Sequence, residues 1–128
     1  MNYKERIAAL KAFKKTVSSG ETTDNVSSIS SDVEGWTGNA KGKFDDYIEK
    51  VQKDCSTIAG RKATFLTSID SIISNIQAQF DSEYNSSSYI LSTTYDSEDA
   101  SKNRSMKISA IDNLSVDESV KSALKEKL

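Results

Sequence analysis

The apolar positions of this chain fall into two long stretches of helical spacing. In the first, Ile7, Leu10, Phe13 and Val17 recur at steps of three and four, which predicts an amphipathic helix over 2–18. Gly20-Glu21-Thr22-Thr23-Asp24 interrupts the pattern, which resumes at Val26, Ile29 and Val33 with Thr23 or Asp24 available as a cap. The spacing fits one long helix with a weak point near Gly20, or two helices in sequence. Gly35 then offers the left-handed stop that helix C-termini favour.

The second stretch carries the stronger pattern. Phe44, Ile48, Val51, Cys55, Ile58, Lys62, Phe65, Ile69, Ile72, Ile76 and Gln79/Phe80 alternate in steps of four and three. That is a heptad seam held for about five repeats, and it predicts a helix from Ala40 to about Tyr84. At 1.5 Å per residue such a helix spans roughly 67 Å, more than one compact core can cover. It must lie along another helix, from its own chain or a partner. Tyr47, Ile73 and Tyr84 lie beside the seam and widen it. Thr37 or Asn39 suits the helix start, and Asp45 and Asp46 suit its positive dipole end. Gly60, costly inside a helix, marks a bend or a close helix approach. Lys62 on the seam is either a snorkelling stem or a device that selects register or partner. Cys55 reads as a small buried hydrophobe.

Beyond Asn85-Ser86-Ser87-Ser88 the pattern loosens. Residues 98–114 fit two readings: Met106, Ile108 and Ala110 alternate like a short strand, while Ile111 and Leu114 fit a helical turn. Ser115 with Glu118 three residues later forms a capping-box pattern. Val116, Val120, Ala123, Leu124 and Leu128 then predict a short terminal helix that folds back or binds with a partner. The predicted fold is all-α: an antiparallel helical hairpin, helix–turn–long helix, with a short C-terminal helical appendage. Residues 1–99 form the hairpin with its trailing segment, and 100–128 form the tail.

Composition sharpens this picture. The 128 residues contain no proline, where average usage would place about six, and that favours uninterrupted helices. Residues 1–64 hold 11 Lys and Arg against 9 Asp and Glu; residues 65–128 hold 6 against 10, in line with the net charge of −2. Neither half is a basic patch, which argues against nucleic acid as a partner. No run of about 18 apolar residues exists, so no membrane insertion is expected. The N-terminus lacks the apolar core of a secretory signal. With one cysteine and no histidine, a disulfide framework and a Cys/His zinc site are excluded. No phosphate-binding glycine loop is present, and the acids at 45–46 and 96–99 lie in polar surroundings. No cofactor, metal or catalytic residue is expected, and the chain reads as a binding protein.

Gly35-Trp36-Thr37-Gly38-Asn39-Ala40 followed by Lys43-Phe44 places a W-x-G motif between the two helical stretches. Tyr95-Asp96-Ser97-Glu98-Asp99 places a Y-x-x-x-[D/E] pattern beyond the second. Together these resemble the WXG superfamily of small helical-hairpin proteins handled by type VII secretion systems. The extra tail and the Ser-rich sequence are closer to the small partner proteins of LXG-type toxins. The resemblance implies that Trp36 and Gly38 shape the turn and that Tyr95 and Asp99 form an export signal. It implies a seam of Phe44, Ile48, Val51, Ile58, Phe65, Ile69, Ile72 and Ile76 that binds the helical N-terminal domain of an LXG-type toxin. A second small helical partner, a self-dimer and the type VII secretion ATPase are further implied partners. The protein would act as a chaperone or targeting factor, cytoplasmic before export and then secreted without a signal peptide. The alternative is a structural homodimeric coiled-coil scaffold with no secretion role.

Overall fold

The computed structural model describes residues 1–22, 28–32 and 34–128. Its regular elements are α1 (Tyr3–Ser19), α2 (Asn39–Ser87), α3 (Tyr89–Ser92), α4 (Ala100–Asp112) and α5 (Glu118–Lys125). Among the described residues there is no strand. The all-α class is therefore correct, and the long helix exceeds its predicted bounds by one residue at the start and three at the end. The chain groups into two compact units, one of Met1–Phe13 with Asp70–Leu128 and one of Lys14–Ile69.

The first unit holds a core of fully buried side chains. Ile90, Ile111, Val120 and Leu124 are fully buried, and Tyr3, Phe80, Tyr84, Leu91, Ala110, Leu114, Val116 and Leu128 pack against them. Three of the four central residues come from α4 and α5, and α4 falls in the stretch whose spacing fits two readings. Residues 100–112 are helical because Asp99 accepts from the Lys102 amide at 2.9 Å and caps the first turn. The alternation of Met106, Ile108 and Ala110 is incidental, since Met106 is exposed and Ile111 is the residue that the core takes.

The start of α5 corrects the capping-box reading. The N-cap is Asp117, not Ser115; its carboxylate accepts from the Ser119 amide at 2.8 Å. A full negative charge at a helix N-terminus outbids a serine hydroxyl two residues earlier. Long-range bonds also hold Asp117 in place. Its amide donates to Glu83 Oε2 at 2.9 Å, and its Oδ1 accepts from the Tyr3 amide at 3.1 Å. The Tyr3 hydroxyl donates to Glu83 Oε1 at 2.7 Å. One clasp thus joins the chain start, α2 and α5.

Burial opposes ionisation of Asp117, but the Ser119 hydroxyl, the Ser119 and Tyr3 amides and the N-terminal ammonium outweigh it, so its carboxyl titrates below the usual range. A depressed carboxyl stabilises the fold above its unfolded value and loses that contribution as pH falls through its folded value. Helicity should therefore be flat from neutral pH to about pH 4 and decline below it, with the decline weaker in Asp117→Asn. A pH titration by circular dichroism, with and without the substitution, checks this.

The second unit departs from expectation in its loop. Helix α1 ends at Ser19, where the Gly20 amide reaches the Thr16 and Val17 carbonyls at 3.2 Å each. A resumed helix over Ile29 is absent: Ile29 to Asp32 are not helical. The Ser30 hydroxyl accepts from the Asp32 amide at 3.1 Å, a local bond that competes with helix formation. Thr23, Asp24, Val26 and Val33 lie outside the described residues. No helix ends at Gly35, which instead sits in a turn with φ 78°.

Candidate partner-binding face

The heptad seam of α2 resolves into two rows seven residues apart in step. One row is Ile48, Cys55, Lys62, Ile69 and Ile76; the other is Phe44, Val51, Ile58, Phe65 and Ile72. In the second unit, Ile69 is 3% exposed, and Ile48 and Cys55 are half-buried. On the other row Phe44 and Val51 are half-buried, but Ile58 is 57% exposed and Phe65 47%. In the first unit, Ile76 is 4% exposed and Ile72 is 48%. The sequence names both rows alike, and it carries no signal for which one the chain itself covers.

Lys62 takes the place of an apolar residue on the covered row for a reason. Its ammonium donates to the Ser18 carbonyl at 3.1 Å and to the Gly20 carbonyl. These are C-terminal carbonyls of α1 without helical partners, and a cation suits that end of a helix. Lys62 is therefore an intrachain register lock, nearer the sharper of the two sequence readings. Gln52 makes a similar bond, its side-chain amide donating to the Ile29 carbonyl at 3.1 Å.

Gly60 is not a place of close approach. A methyl group added there would meet nothing within 4 Å among the described residues. Gly60→Ala should therefore raise the unfolding free energy by about 0.5–1 kcal/mol, measured by urea denaturation.

At the turn motif, Trp36 packs its ring 5.2 Å from that of Phe44 at a 45° tilt and stays 36% exposed. Gly38 has φ 95°, where a side chain would be strained. Its carbonyl accepts from the Gly42 amide at 3.2 Å, so Gly38 holds the cap position of α2. Neither Thr37 nor Asn39 takes that place; Asn39 is already the first helical residue. Lys41 pairs with Asp45 at 2.8 Å. That bond, with one from Ser31, holds the Asp45 carboxyl below the usual range.

Tyr95 and Asp99 lie between α3 and α4. Asn103 Oδ1 accepts from the Tyr95 amide at 2.7 Å and the Asp96 amide at 3.2 Å. Asp96 Oδ1 accepts from the amides of Glu98 and Asp99 at 3.0 and 2.9 Å, and its other oxygen pairs with Lys102. The Lys102 bond first, then those amides, holds the Asp96 carboxyl low. The segment is a fixed non-helical turn with the Tyr95 side chain partly exposed and the Asp99 carboxylate spent on capping α4. Asn103 and the Tyr3–Glu83–Asp117 clasp escaped the sequence reading. Asp117 next to Glu118 was a local hint, but a bond between residues 3 and 117 leaves no local trace.

Chemically, the face offers apolar contact and little else. Among the described residues, no group of three or more Cys, Asp or Glu could hold a metal ion, and no helix is long and apolar enough to cross a membrane. The chain matches no protein-family model, no curated protein and no solved structure.

Proposed function

We propose that this chain is a WXG-like partner protein that binds the helical N-terminal domain of an LXG-type toxin and promotes its export by a type VII route. In this reading α1 and α2 are the arms of an antiparallel hairpin, and Gly35-Trp36-Thr37-Gly38 is its turn. The bonds from Lys62 to Ser18 and from Gln52 to Ile29, and the Trp36–Phe44 contact, support it. One observation carries the binding role: α2 has two heptad rows, and the row of Ile58, Phe65 and Ile72 is left about half exposed. Apolar side chains repeating every seven residues on a helix surface are the pattern onto which another helix packs. The Tyr95–Asp99 turn would serve as the export signal.

Co-expression with a toxin encoded by a neighbouring gene tests this. A stable complex with the toxin's helical N-terminal domain supports the proposal. A homodimer indifferent to that toxin favours the scaffold alternative. Trp36→Ala should leave helicity by circular dichroism within about a tenth of the parent, because a half-exposed ring contributes little to a core, while export into the medium falls. Loss of folding instead would make Trp36 a purely structural plug.

A further inference from the structure

We infer that the first turns of α1 are a strap latched onto α2 by the Tyr3–Glu83–Asp117 clasp, and that the strap lifts while the core of α3, α4 and α5 stays folded. Apolar packing alone holds the strap weakly. No residue of α1 is buried, and Ile7 and Leu10 are only half-buried. Open space lies on both of its flanks. Arg6, Leu10 and Phe13 line a cleft of about 430 Å³ with Ile72 and Ile76 of α2. On the other flank Tyr3, Lys4 and Ile7 line one of about 80 Å³ with Gln77 and Phe80. Side chains that border such space forgo dispersion contacts on that side.

Polar bonds supply the rest. The Tyr3 hydroxyl donates to Glu83 Oε1 at 2.7 Å, and the Tyr3 amide donates to Asp117 Oδ1 at 3.1 Å. Both acceptors are carboxylates, whose hydrogen bonds are roughly twice as strong as those between neutral groups. The helix start does not need them. Asn2 Oδ1 accepts from the Glu5 amide and Glu5 Oε2 from the Asn2 amide, at 2.9 Å each, which is a reciprocal cap. The Tyr3 hydroxyl therefore serves docking alone. The core, for its part, closes without the strap. Its central side chains come from α3, α4 and α5, and among the described residues Tyr3 is the one residue of α1 packed against them. A loosely packed element tied to a closed core at one polar point is what opens first in native-state fluctuations. Lifting bares Ile76, 4% exposed with the strap seated, beside the half-exposed Ile72. A docking helix then meets both heptad rows at that level. This consequence rests on the docking reading above; the latch itself does not.

Amide hydrogen exchange of the full chain, followed by NMR from zero to sub-denaturing urea, tests this. In the parent, the amides of residues 10–13 should exchange on the order of tenfold or more faster than those of Ile111 and Leu124, and with a smaller urea dependence. Tyr3→Phe removes one bond and keeps the ring, and it should speed exchange at residues 10–13 about tenfold. Ile111→Val should speed exchange at Leu124 about fivefold and leave residues 10–13 unchanged, because the lifted state keeps the core that this substitution weakens. One rate and one urea dependence for all these amides overturns the inference, since strap and core then open together. An effect of Ile111→Val on residues 10–13 as large as that on Leu124 overturns it too. Unchanged exchange at residues 10–13 in Tyr3→Phe overturns the clasp as the latch. Should Tyr3→Phe disturb the circular dichroism spectrum, Glu83→Gln, which can accept only one of the two bonds, takes its place with the same expectation. The measurement needs no partner, so toxin co-purification still decides the function on its own.

Discussion

Replacing Ile111 by alanine is expected to lower the unfolding free energy by about 2–5 kcal/mol, the range for truncating a fully buried aliphatic side chain. Ile111 is 0% exposed and sits with Ile90, Val120 and Leu124 in the cluster of fully buried side chains among the described residues. Removing three carbons there takes away transfer energy and leaves a cavity that α3, α4 and α5 cannot all collapse to fill. Leu124→Ala should behave alike, since Leu124 is also fully buried. For a protein whose total stability is on the order of 10 kcal/mol, either loss is large. Ile58→Ala provides the contrast: at 57% exposure it should cost less than about 1 kcal/mol. Urea denaturation followed at 222 nm measures all three. If Ile111→Ala proved as mild as Ile58→Ala, the last 40 residues would not form the stability centre.

The second large effect is on binding. If the proposed partner complex forms, Ile58→Asp should leave the isolated chain folded and weaken that complex by about a hundredfold or more. A carboxylate buried without a partner at an apolar interface costs several kcal/mol. Ile58 can take the substitution in the free chain because over half of its surface is in water. Ile69→Asp should do the opposite: at 3% exposure it places the charge inside the fold and should lower stability first. Titration calorimetry with the proposed partner domain, beside denaturation of each variant, separates the two rows. Equal binding by Ile58→Asp and the parent would remove the open row from the interface.

Residues 44–76 made α2 legible because one periodicity was sustained over many turns without a proline. A wrong side chain here or there does not erase such a signal. Residues 98–114 are hard to read for the opposite reason. A short helix with mixed serines holds few periods, so its form depends on Asp99 as a cap and on the core that Ile111 joins. The stretch around Ile29 misled because apolar spacing says nothing of Ser30, whose hydroxyl takes the Asp32 amide and competes with a helix. At the candidate site the sequence named the two heptad rows together. It could not divide them, since Ile69 and Ile72 are chemically the same and differ only in what lies over them.

By itself the sequence determined the helical class and the length and position of α2. These follow from spacing and residue type, which act locally. Tertiary structure alone decided which heptad row is covered, why Lys62 stands on the seam and how Tyr3, Glu83 and Asp117 meet. The bonds involved join residues 34 or more positions apart, and contact at that separation is set by how helices pack.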